Sequence, residues 1–175
     1  MIWKIIKFIP LVLFLILVIL LYKGMYLEKD KIPSTLIGKS FPSFSLPSLY
    51  GNGIITEKDI KGPALVNIWA TWCPNCYDEH TYLNKLSEQG IKIYGINYKD
   101  KKEDAIHWLE DMKNPYVLNI VDREGKLGID LGVYGAPETY IIDKNGVILY
   151  KHIGEVDSKI WNEKIEPIYK EITKR

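Results

Sequence analysis

The junction at residues 64–76 constrains this chain more than any other feature. Ala64-Leu-Val-Asn-Ile-Trp-Ala70 is a nearly continuous apolar run of strand length, the pattern of a central strand covered on both faces. It leads directly into Thr71, Trp72 and Cys73-Pro-Asn-Cys76. Beyond the second cysteine, Tyr77, His80, Leu83 and Leu86 recur at helical steps until Gly90, which supplies a stop. The order is strand, tight turn, helix, and the chain's 2 cysteines both sit at the turn.

A sulfur at a helix N-terminus faces free backbone N–H groups and the positive end of the helix dipole, which favours its thiolate. The thiolate is the attacking species, so Cys73 is the expected nucleophile and Cys76, one turn inside, the resolving thiol. Pro74 suits the first helical turn, where its missing N–H costs nothing. Other uses of the pair stay open. A disulfide closing so short a loop removes little unfolded-state entropy, so stapling is a weak reason for it. A zinc site needs four ligands, and beside one cysteine pair only His80, His107 and His152 are available. Copper delivery by the two thiols is a third use.

The pattern continues as an α/β chain. Ile91 to Asn97 reads as a second strand, and Asp100 with Glu103 as a capping box for a helix carrying Ile106, Trp108, Leu109 and Met112. Tyr116 to Val121 is a third strand. Thr139 to Asp143 and Val147 to Lys151 flank Asn145-Gly146, a strong signal for an antiparallel hairpin. Ser158 to Thr173 closes the chain as an amphipathic helix, kinked or started late because of Pro167. Ahead of the central strand, Phe44 to Leu46 and Gly53 to Thr56 resemble a short strand pair.

The first residues have a different character. Met1-Ile-Trp-Lys-Ile-Ile-Lys7 precedes an uncharged run from Phe8 to Tyr22. With Lys4 and Lys7 snorkelling, Ile2 to Tyr22 can cross a hydrocarbon core of about 30 Å. A cleaved signal peptide would end in a small-x-small site, which Leu20 to Tyr26 lacks. Residues 1–27 are therefore expected to be an uncleaved transmembrane anchor, 28–37 a polar tether and 38–175 the folded domain. Lys4 and Lys7 favour a cytoplasmic N-terminus and a domain on the outer side, where thiols tend to be oxidised. With 23 Lys plus Arg against 22 Asp plus Glu in 175 residues, no charge excess points to nucleic acid as a partner.

Asn67-Ile-Trp-Ala-Thr-Trp-Cys-Pro-Asn-Cys76 followed by Glu79-His80, Gly95-Ile-Asn-Tyr-Lys-Asp100, Asn114-Pro-Tyr116 and, most discriminating, Leu131-Gly-Val-Tyr-Gly-Ala-Pro-Glu-Thr139 together resemble the CcmG/DsbE family. These are membrane-anchored thiol:disulfide interchange proteins of cytochrome c maturation, within the thioredoxin superfamily. The resemblance spans the whole chain. It implies a thioredoxin-like fold, with a central mixed sheet flanked by helices. It also implies a cis peptide at Ala136-Pro137 facing the cysteines, and backbone pairing of Ala136 with an extended substrate segment.

The site residues so implied are Cys73 and Cys76 with Trp72, Pro74, Asn75, Glu79, Ala136, Pro137 and Glu138; no metal and no bound cofactor are expected. Acidic Glu79 and Glu138 near the sulfurs would oppose the helix dipole and raise the thiol pKa, as suits a reductant. Asn67 stands where many thioredoxins have a buried Asp, and Asn does not titrate, so the Cys76 proton would pass to water, Glu79 or Glu138. Glu155 stands where relatives carry Asp.

The resemblance further implies that reduced Cys73 and Cys76 reduce the disulfide of apocytochrome c at Cys-x-x-Cys-His, or of a thiol partner handling it. Re-reduction would come from a transmembrane thiol electron carrier, at the bacterial inner membrane with the domain in the periplasm. The alternatives are a general periplasmic disulfide reductase, or a haem- or metal-delivery chaperone using the thiols as ligands.

Overall fold

The computed structural model describes residues 8–25 and 35–174. The chain divides into two compact units, residues 1–32 and 33–175.

In the first unit, helix α1 (Ile9–Met25) has 17 residues, about 25 Å at 1.5 Å per residue. Among the described residues no helix is long and apolar enough to cross a membrane, so the expected span from Ile2 is not reproduced as such. Lys4, Lys7, Lys29 and Lys31 lie outside the described residues. Every described side chain from Phe8 to Gly24 is exposed.

The second unit is built on β3 (Ala64–Trp69), whose residues are all buried. A hairpin of β1 (Ser45–Pro47) and β2 (Ile54–Thr56) precedes it, paired antiparallel. After it come α2 (Pro74–Glu88), β4 (Ile93–Tyr98), α3 (Lys102–Met112), β5 (Leu118–Asp122), a short α4 (Lys126–Asp130), β6 (Glu138–Ile142) and β7 (Ile148–Ile153). The five-stranded sheet has the order β5-β4-β3-β6-β7. β3 is parallel to β4 and antiparallel to β6, and β6 is antiparallel to β7. This mixed sheet flanked by helices is the thioredoxin-like architecture.

Strand alternation divides the core in two. Leu65, Trp69, Ile93 and Ile141 face a layer that holds Cys73, Cys76, Leu83, Leu86, Leu109 and Trp161. Val66, Ile68, Ile96, Tyr140 and Ile142 face the other layer, closed by Phe41, Ile55, Leu127 and Leu131. Gly95 on β4 is what lets the aromatic side chains of the first layer close up. A Cβ there would collide with Asn119 Oδ1, and would lie 2.8 Å from Trp69 Nε1 and 2.9 Å from Tyr116.

Two local expectations change. Asp100 does not cap α3: the N-cap is Lys101, without a side-chain cap, because the Asp100 carboxylate is drawn to the turn before Cys73. The closing helix is interrupted rather than delayed. Ser158–Ile160 is followed by a π-helical turn at Trp161–Ile165 and then by Glu166–Thr173. Pro167 has no N–H and its ring opposes a carbonyl in the preceding turn, which a widened turn relieves.

Candidate active site

Cys73 is the N-cap of α2 (φ −98°, ψ 109°), and its sulfur accepts the Cys76 N–H at 3.1 Å. Cys73 and Cys76 form a disulfide with Cα atoms 5.3 Å apart, and both are nearly inaccessible, at 4% and 1%. Pro74 and Asn75 are exposed at the start of the helix, as is Trp72, whose Nε1 donates to the Lys99 carbonyl at 3.1 Å.

The turn before the cysteine is held from β4. Asp100 accepts from Thr71 N at 2.6 Å, Thr71 Oγ1 at 2.9 Å and Asn97 Nδ2 at 2.9 Å. A carboxylate so engaged fixes backbone through charge-assisted bonds. The turn that presents Cys73 is thus anchored to the end of the neighbouring strand.

Glu79 lies one turn beyond Cys76 on the inner face of α2 and is buried to 2% exposure. Its oxygens accept from Asn67 Nδ2 and from Val156 N, each at 2.9 Å. Both amide hydrogens of Asn67 are used, since it also donates to Thr139 Oγ1 at 3.1 Å, and its carbonyl accepts from Tyr116 Oη at 2.9 Å. Burial pushes the Glu79 carboxyl up to about 8; the Asn67 and Val156 bonds pull against that rise, and the Glu155 charge adds to it. Tyr116 is pushed up as well, by burial and then by Glu79.

Ala136-Pro137 is a cis peptide. Ala136 packs against the same core layer as the cysteines and lies just ahead of the ladder pair Glu138↔Ile68. Glu138 takes a different place from Glu79. It shares the sheet face of Tyr140 and Ile142, opposite the layer of the cysteines, and its carboxylate meets Lys151 Nζ at 3.0 Å and Tyr134 N at 2.8 Å. The expectation that both acids adjoin the sulfurs therefore divides: Glu79 shares the cysteines' layer and Glu138 does not.

His80 is packed in the aromatic layer, with Nε2 2.8 Å from the Lys113 carbonyl and its ring edge-on to Trp108 at 4.3 Å. Burial pulls its pKa down. Among the described residues no group of three or more His, Cys, Asp or Glu side chains is placed to hold a metal. Sequence reasoning missed Thr139, Val156 and Asp100 as parts of this site, and gave Tyr116 no role. The one signal was that Asp100, Tyr116 and Thr139 fall inside segments that carry the resemblance; nothing marked Val156.

The Redoxin family model matches residues 36–167. The thiol:disulfide interchange protein DsbE of Pseudomonas aeruginosa is 54% identical over 93% of this chain and 92% of its own length. The chain belongs to the DsbE family. The DsbE of Vibrio cholerae is 49% identical over 97% of this chain and 96% of its own. Among solved structures, a secreted thiol-disulfide isomerase from Corynebacterium glutamicum is 25% identical with a TM-score of 0.63, covering 74% of this chain and 85% of its own. This DsbE-family chain is a thiol:disulfide oxidoreductase of the thioredoxin superfamily, and its cysteine pair is present as a disulfide.

Proposed function

We propose that this protein is a reductant in cytochrome c maturation, acting on the Cys-x-x-Cys-His disulfide of apocytochrome c or on a thiol protein that handles it. The observation that carries the reading is the Cys73–Cys76 pair at the start of α2 in a DsbE-family chain; beside it, on the face of α2 that also bears Cys76, is a buried acid pushed up to about 8. The Cys73 thiolate attacks one sulfur of the substrate disulfide; that bond breaks, and the departing thiolate takes a proton. Cys76 then gives its proton to Glu79 and attacks the Cys73 sulfur. The mixed disulfide breaks, the second substrate sulfur leaves as a thiolate and takes a proton from Glu79 or water, and two electrons have passed to the substrate. A carboxyl at about 8 is matched to an ordinary thiol near about 8.5, so this transfer is close to balanced.

Trp72, Pro74 and Asn75 form the exposed rim around the sulfurs, and an extended substrate segment pairs with the backbone at Ala136, beside Pro137. Glu138 supports that edge. The protein works without a bound cofactor, and a transmembrane thiol electron carrier re-reduces it. Residues 1–27 anchor it as a single pass in the bacterial inner membrane, 28–37 tether it and 38–175 face the periplasm. What supports the anchor is α1, apolar and exposed all round, which needs lipid or a partner to cover it.

Cys76→Ser tests the sequence of steps. Incubated with an oxidised Cys-x-x-Cys-His peptide, it should accumulate a mixed disulfide through Cys73, while Glu79→Gln should accumulate the same species transiently. Accumulation through Cys76 in a Cys73→Ser variant instead would reverse the assignment of nucleophile.

A further inference from the structure

Lys151 on β7 carries a charge into the core: its side chain is 6% exposed and the Glu138 side chain it meets is 0% exposed. Two buried charges keep their place only if their remaining hydrogen-bonding capacity is met, and here it is met by one loop. Lys151 Nζ donates to the Gly132 carbonyl at 2.6 Å and to Glu138 Oε2 at 3.0 Å, and lies 5.0 Å from the centre of the Tyr134 ring and 5.4 Å from that of Tyr140. Glu138 Oε1 accepts from Tyr134 N at 2.8 Å. Tyr140 Oη has the Leu131 carbonyl at 2.9 Å and Glu138 Oε2 at 3.1 Å for its single proton. The pair thus holds Gly132 and Tyr134, and Tyr140 holds Leu131, in the segment leading into Gly135, Ala136 and Pro137.

The sheet register explains how. Lys151 is directly opposite Tyr140, so Glu138 is its diagonal neighbour on the same face. That face is the one turned away from the disulfide, which leaves the loop as the route by which the pair can act on the reaction. We infer that Lys151 is a positioning residue: with Glu138 it fixes the 132–137 loop so that the backbone at Ala136 is held ready for an incoming strand. The inference rests on the proposed pairing of substrate with Ala136, and it gives Glu138 a structural purpose distinct from tuning the thiols.

The test uses the full-length chain and an oxidised Cys-x-x-Cys-His peptide. Lys151→Met keeps the aliphatic stem and removes the charge. It should raise KM for the peptide about tenfold, the scale of ordering a loop side chain only on binding, with kcat and the equilibrium constant against a dithiol buffer changed less than twofold. Lys151→Arg should restore most of the loss. Glu138→Gln combined with Lys151→Met should raise KM no further than Lys151→Met alone, because the two act as one unit. If Lys151→Met loses stability but keeps its KM, or if Lys151→Arg restores nothing while remaining folded, Lys151 is structural and the inference fails. Should Lys151→Met not fold, the KM of Glu138→Gln decides in its place, a rise supporting the inference and an unchanged value overturning it. The underlying reading has its own control. A peptide with N-methylated backbone flanking its cysteines should bind the wild type more weakly; equal binding would remove the strand edge itself and the inference with it.

Discussion

Glu79 makes the stability of the fold sensitive to pH, with a definite sign. Its folded pKa of about 8 lies above the ordinary carboxyl value of 4.5. Below about pH 4.5 it is protonated folded or unfolded and costs nothing. As pH rises from there toward 8, the unfolded chain gives up the proton while the folded chain holds it. Stability therefore falls, at up to about 1.4 kcal/mol per pH unit. Denaturant titrations from pH 5 to 8 should show the wild type losing stability relative to Glu79→Gln across this window; parallel curves would mean that Glu79 titrates normally. The same group should leave a limb near pH 8 in kcat that Glu79→Gln lacks, along with a rate at least about tenfold lower, within the usual range for a general base.

The residues fell into two classes of legibility. Cys73 and Cys76 could be read at once because their chemistry depends on a local junction of strand and helix. Glu79 and Glu138 could not be told apart, since one follows the cysteines on their helix and the other follows the proline expected to face them. What separates them is the pleat: Thr139 shares a face with Asn67 and Glu79, and Glu138 shares the other with Lys151. No local pattern announces a lysine that a distant strand will bury.

Among the elements, β3 and α2 carry the site and β4 holds it in place. The strands and the helix after the cysteines could be read because their periods are long and their burial is uniform. Asp100 could not: an acid three residues before Glu103 satisfies the capping pattern, yet the Thr71 backbone outcompetes the helix for it. Replacing Asp100 with Ala strips the turn of its carboxylate and should cost about 2–3 kcal/mol in urea unfolding, with slower attack by Cys73. An unchanged midpoint would mean the turn holds its own shape. On β4, Gly95→Ala would push a methyl group into Asn119 and against Nε1 of Trp69, whose ring lies stacked 5.1 Å from Trp108 and 5.5 Å from Tyr116. A loss of about 2–3 kcal/mol is expected, with a change in near-ultraviolet circular dichroism reporting the disturbed indole.

At the scale of the whole molecule, the prediction is a potential and a location. Equilibrated against a dithiol buffer, the protein should poise near or below thioredoxin, about −270 mV; a value near about −120 mV would make it an oxidant. In cell fractionation the full chain should follow the membrane and a chain begun at Gly38 should not. The basic start, the uncharged run to Tyr22 and the missing small-x-small site suggested this location from the sequence alone. The helix described there, at 17 residues, is shorter than the span expected from Ile2, and the rest of that span lies outside the described residues.

One consequence reaches beyond this protein's own chemistry. Adjacent residues of β6 belong to different circuits: Thr139 accepts from Asn67, whose amide also donates to Glu79, and Glu138 accepts from Tyr134 in the loop that leads to Ala136. On the proposed pairing of substrate with Ala136, choice of target and affinity for electrons are separable traits. Substitutions around Lys151 would then retune which polypeptide is accepted while the redox poise is inherited unaltered, so a lineage could change clients without rebuilding its chemistry.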